Sequence, residues 1–160
     1  MKLKGIENIE NTLNKFLEPF ECTAELGSDF SYWYSDSLIN FALVVSESND
    51  IDFRDFCKEL QPRLHCDIFL LSFMHELGHH ETVDEWEDEE YLDMKIQKEK
   101  INKMKISQKE KNFMYFNIPD EKRATEWGLQ YIMTHQVEIM QLWKEIQQAI
   151  LLVYKLNDIH

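Results

Sequence analysis

The five residues His75-Glu76-Leu77-Gly78-His79 close an apolar run from Ile68 to Met74, and this stretch constrains the chain more than any other. A run that is apolar nearly all round, with Asp67 placed to cap it, predicts a helix buried in a core. Residues four apart on a helix sit about 40° apart on one face, so His75 and His79 can share one cation. Glu76 falls about 100° round from His75, able to reach a water on that cation without ligating it. Zn2+ suits such a set, because two imidazoles, one carboxylate and a water give a four-coordinate site with one open position. A water so bound is acidified to a pKa of about 7, and a neighbouring Glu can take its proton as it attacks a carbonyl. The plainer alternative is a helix end whose imidazoles reach solvent. It must explain why polar groups of this kind end a buried helix, where they are costly unless satisfied.

With 160 residues, 44% of them hydrophobic, the chain can form one domain with a real core, and we expect a single domain over 1–160. No stretch approaches the roughly 20 apolar residues of a membrane span, and Met1-Lys2-Leu3-Lys4 leads into polar sequence rather than a secretory leader. Cys22, Cys57 and Cys66 show no C-x-x-C spacing, so free thiols in a reducing cytoplasm are expected. The net charge of −13 argues against nucleic acid, whose phosphates are bound by Lys and Arg, and is compatible with a basic partner.

Along the chain, Ile6, Ile9, Leu13, Phe16 and Leu17 recur at helical spacing before Pro19. Phe20 to Leu26, Phe30 to Ser35 and Leu38 to Val45 read as three short strands, and their tight connections suggest an antiparallel meander. Ser46 to Asp52 reads as a loop and Phe53 to Leu60 as a short helix. Residues 81–111 form a charged helical insertion, acidic from Glu81 to Asp93 and Lys-rich from Lys95 to Lys111, with Ile96, Ile101, Met104 and Ile106 as its apolar face. This insertion is either a solvated excursion or a lid that repels acidic substrates and favours basic ones. Pro119-Asp120 starts a final helical part that runs to about Leu156, with a break near Thr134 to Gln136.

Two histidines need a third protein ligand. A metzincin would carry Gly at position 82 and His or Asp at 85, where this chain has Thr82 and Glu85. Downstream, Glu121-Lys122-Arg123-Ala124-Thr125-Glu126-Trp127-Gly128 resembles part of the ImmA/IrrE family of zinc metallopeptidases, which are Glu-ligated zincins. That family pairs an H-E-L-G-H helix with a pattern close to E-x-E-A-N-x-F-A-x-x-L-L-M-P. Glu121, Ala124, Trp127, Gly128, Tyr131, Ile132 and Met133 fall where the family has Glu, Ala, Phe, Ala, Leu, Leu and Met. Thr125 stands in place of its Asn and Thr134 in place of its Pro, and the stretch between the motifs is longer. The resemblance implies that His75, His79 and Glu121 bind zinc and that Glu76 is the catalytic carboxylate. It also implies an α+β zincin-like metallopeptidase domain, with a small antiparallel sheet packed on the HExxH helix and a C-terminal helical part. Members of the family are linked to phages and mobile elements, where they cleave or control repressors; a regulator acted on here would be a separate protein.

Periodicity separates the two candidate carboxylates. On a helix, Glu121 shares a stripe with Ala124, Gly128 and Ile132, extended to Ile139, Ile146 and Ile150 if the helix is continuous, whereas Glu126 lies about 140° away on the polar side. A carboxylate on a core face is costly unless it is paired or bound to a metal, which favours Glu121. Thr125 is a candidate to orient a ligand and His135 to stabilise an oxyanion if the chain bends back after Thr134. His80 and His65 read as surface or supporting groups. Two functions follow: a zinc metallopeptidase acting on a protein or peptide, or a non-catalytic acidic module that sequesters a basic or DNA-binding partner.

Overall fold

A computed structural model describes residues 2–43 and 47–159. The helices are α1 (Ile6–Leu17), α2 (Glu47–Leu60), α3 (Ile68–Thr82), α4 (Asp88–Lys103), α5 (Gln108–Phe116), α6 (Pro119–Thr134) and α7 (Gln136–Leu156). The strands are β1 (Thr23–Leu26), β2 (Ser31–Trp33) and β3 (Leu38–Phe41), so the chain is an α+β protein dominated by helix. Among the described residues no helix is long and apolar enough to cross a membrane. The chain divides into two compact units, one of residues up to Ala42 with those from Thr134 on, the other from Leu43 to Met133.

In the first unit, α1 turns its apolar stripe, Ile6, Ile9, Leu13 and Leu17, into a core shared with α7, which contributes Ile139, Leu142, Ile146, Ala149 and Val153. The sheet packs on α1, and Asn14 fixes their alignment: its amide donates to Ala24 O at 3.2 Å and its Oδ1 accepts from Ala24 N at 2.6 Å. Each strand lies within a stretch read as one but is shorter, with Phe20 in the turn that ends α1, and the three are not an antiparallel meander. The sheet is mixed, in the order β1-β3-β2, with β1 parallel to β3 (Thr23 opposite Leu38) and β2 antiparallel to it (Tyr32 opposite Ile39). The reason lies in the two turns. A tight turn at Tyr34–Asp36, with Ser37 at φ 47°, folds β2 back on β3. Gly27 makes no such hairpin; its N–H continues the β1 ladder to Phe41 O at 2.8 Å, leaving β2 to pair on the far edge.

In the second unit, Asp67 caps α3 by accepting from Phe69 N at 2.8 Å, and α3 is buried on nearly every side, as its composition predicts. The expected loop before Phe53 is helical instead: α2 starts at Glu47. Residue 46 and the end of the third predicted strand, residues 44–45, lie outside the described residues. The charged insertion is helical, as its sequence suggests, in the form of α4 and the first part of α5. Its apolar face differs from the expected one. Met94 and Ile101 pack with Ile118, Trp86 and Tyr91, while Ile96 and Met104 are exposed.

Candidate metal centre

The site lies within the second unit, where α3 meets α6, and two glycines bring them together. A Cβ on Gly78 would stand 2.2 Å from Ala124 O, and one on Gly128 would stand 2.8 Å from Met74 O. The two helices therefore touch backbone to backbone, closer than any side chain allows. Gly78 sits inside the HExxH turn, so the same close approach that packs the helices brings Glu121 against the two histidines.

His79 Nε2 lies 2.5 Å and His75 Nε2 3.4 Å from Glu121 Oε2, with side-chain exposures of 9%, 11% and 5% respectively for His79, His75 and Glu121. One ligand atom from each of these residues lies within 4.8 Å of the others, so the three could hold a metal ion. Glu121 falls on the buried face of α6 with Ala124, Thr125, Gly128 and Ile132, whereas Glu126 is exposed, as periodicity predicts.

The contacts around the histidines draw three possible ligand atoms together. Thr125 Oγ1 stands 3.1 Å from Glu121 O and 2.8 Å from His75 Nδ1, tying the His75 ring to α6. Glu121 Oε2 is buried and has no hydrogen-bond partner of acceptable geometry. Either a shared proton or a divalent cation can sit between these converging atoms, and the donor set is one that suits a metal. The edge of a tetrahedron with bonds of ~2.1 Å is about 3.4 Å, the spacing found between His75 and Glu121, whereas His79 stands closer, at 2.5 Å, and would have to draw back to share an ion. Burial alone would raise the Glu121 carboxyl, yet the imidazoles, His79 foremost, hold it well below the usual carboxylate range. It is ionised and ready to ligate.

The expected roles sort as follows. Thr125 touches His75, where it can orient that ring. Glu76 is half-buried and lies outside the three-ligand group. His80 is half-buried and also outside it. His135 precedes α7 in the other unit, exposed, with Nδ1 2.9 Å from Thr134 Oγ1. His65 and Cys66 line a cavity of about 190 Å³ with Cys57. Burial pushes the Cys57 thiol up to about 12 and the Cys66 thiol to about 11, so both stay protonated near neutrality.

Sequence reasoning missed three neighbours of the site. Lys98 Nζ stands 2.8 Å from Asp120 Oδ2 and 3.7 Å from Glu121 Oε1, and burial, joined by the Glu121 carboxylate, pushes the Tyr115 phenol up. Phe53 packs edge-on to His75, with ring centroids 5.4 Å apart. Asp120 carried a signal, being a second acid beside Glu121 at a helix start, but Lys98 is indistinguishable in sequence from the lysines around it. No family model matches the chain, and neither does any curated protein or solved structure.

Proposed function

We propose that this chain is a zinc-dependent metallopeptidase that hydrolyses peptide bonds in a protein substrate. The observation that carries the reading is the buried His75, His79 and Glu121 group with an unsatisfied carboxylate oxygen, and Glu76 beside it outside the ligand set. Two imidazoles and a carboxylate are the donor set of catalytic zinc. When bound, the ion supplies an acidified water and polarises the carbonyl that the water attacks.

The chain's own residues do the rest. Glu76 accepts the proton of the attacking water and returns it to the departing amine. Thr125 contacts His75 Nδ1 and so orients the ring whose Nε2 would ligate. Phe53 covers one side of the His75 ring and limits water there. The resemblance to ImmA/IrrE peptidases points to a separate regulatory protein as substrate, and the exposed carboxylates between Glu81 and Asp93 favour a basic one.

Metal analysis of the purified protein should return one zinc per chain. Glu76→Gln should keep the zinc and lower hydrolysis of a denatured protein by about 10²–10⁴-fold. Full activity in a zinc-loaded Glu76→Gln protein would sink the mechanism. A wild-type chain that holds zinc but cleaves nothing would favour the acidic binding module, whose partner should bind equally well to Glu76→Gln.

A further inference from the structure

The charged insertion reaches the metal-ligand group with two side chains. Lys98 leaves α4 with a half-buried ammonium, 2.8 Å from Asp120 Oδ2 and 3.7 Å from Glu121 Oε1. Tyr115 leaves α5 towards the same group: Lys98 Nζ stands 5.5 Å from the centroid of its ring, and burial, helped by the nearby Glu121 carboxylate, pushes its phenol up. Asp120 is buried and joins the arrangement through its other oxygen, Oδ1, which accepts from Glu121 N at 2.9 Å. Two adjacent carboxylates are therefore buried side by side, and Lys98 is the cation that meets both.

We propose that Lys98 and Tyr115 are positioning residues for Glu121, holding its carboxylate so that Oε2 faces His75 and His79. The proposal rests on reading those three residues as metal ligands. The terminal torsion of a glutamate is broad and close to two-fold, so an unrestrained carboxylate samples many orientations. A cation beside Oε1 and a phenol near the same group narrow that range, and Oε2 is left as the oxygen with no hydrogen-bond partner. Groups that orient a metal ligand in this way are typically worth about 10–100-fold in metal affinity. The insertion then does more than cover the site: it fixes the one ligand that does not come from α3.

The test is a zinc titration of the full chain against a competing chelator, with Co2+ substitution as a spectroscopic readout. Lys98→Met and Tyr115→Phe should each weaken zinc binding by about 10–100-fold and alter the visible Co2+ spectrum. Lys98→Arg, which keeps the charge, should recover most of the affinity. Lys98→Met also strips a buried partner from Asp120, so far-UV circular dichroism of the metal-free proteins is measured alongside. Should Lys98→Met fail to fold, Tyr115→Phe decides alone, since it removes a single oxygen. A folded Tyr115→Phe protein with wild-type zinc affinity and an unchanged Co2+ spectrum overturns the proposal. A wild-type chain that binds no zinc overturns the metal-ligand reading and this proposal with it, whereas wild-type binding matched by both variants overturns the positioning role alone.

Discussion

The α3–α6 crossing and the α4–α5 insertion belong to one compact unit but are built on opposite principles. At the crossing, glycines let two backbones touch, and the side chains of the ligand group are buried against one another. The insertion has a core of its own made of little more than Met94, Ile101 and Ile118, with Trp86 and Tyr91 at its edge, and most of its length is charged and exposed. Ligands that share one ion must be held to within about half an ångström, which a backbone contact provides. A charged arm needs only enough apolar area to keep its helices in place. Changes at the crossing should therefore be felt at the metal and in stability together, while changes on the outer face of the arm should be felt in neither.

The largest effect should come from removing the third ligand. Glu121→Ala should cost zinc affinity well beyond the roughly 10–100-fold expected for an orienting group, and Glu126→Ala, on the exposed face of the same helix, should leave it unchanged. Parallel zinc titrations giving the reverse order would show that the ligand is misassigned. Next comes the crossing itself. Gly78→Ala places a methyl group against the Ala124 carbonyl, a neighbour that cannot swing aside as a side chain would. Overpacking of this kind typically costs about 1–3 kcal/mol, and a backbone obstacle puts Gly78 at the upper end. Urea unfolding of the metal-free protein measures it, and zinc affinity should fall in the same variant. Wild-type stability in Gly78→Ala would mean that the helices are not locked by this contact.

The parts of the molecule that were legible in sequence are those set by local pattern. The stripe of α1, the Asp67 cap, the buried α3 and the break after Thr134 all follow from residues near one another in the chain. So does the face of α6 that buries Glu121, because one helix has one phase. The break at His135 ends that phase, so Ile139 and Ile146 are buried on α7 in the other unit and not along a continuous stripe with Glu121. What sequence did not reveal depends on pairing at a distance. Alternation marks strands but does not say whether β1 runs with β3 or against it, and Gly27 read as a turn when its N–H in fact extends the ladder. Lys98 and Tyr115 escaped notice for the same reason: one lysine in a Lys-rich helix is singled out only by Asp120 coming to meet it.

The smallest effect, and the sharpest check on the arm, concerns its acidic surface. Glu81, Asp84 and Asp93 are exposed, and they lie apart from the Glu87–Glu90 capping box of α4 and from the Glu85–Arg123 ion pair. Changing all three to their amides removes three negative charges without touching a cap or a core residue. Stability should stay within about 0.5 kcal/mol of wild type, the usual range for such surface changes, and zinc affinity should not move. If these carboxylates steer a basic substrate, the triple variant should capture a basic peptide more slowly at low ionic strength. That difference should close towards physiological salt, where fields are screened over about 8 Å. Lys95, Lys98 and Lys111 line a cavity of about 410 Å³ between α4 and α5, so the opposite preference is a real competitor. Stopped-flow rates with matched basic and acidic peptides separate the two. Slower capture of the basic peptide, fading with salt, supports steering by the acidic face. A change that ignores ionic strength would mean that these carboxylates act on folding or packing, and the arm's outer face would no longer stand in contrast to the crossing.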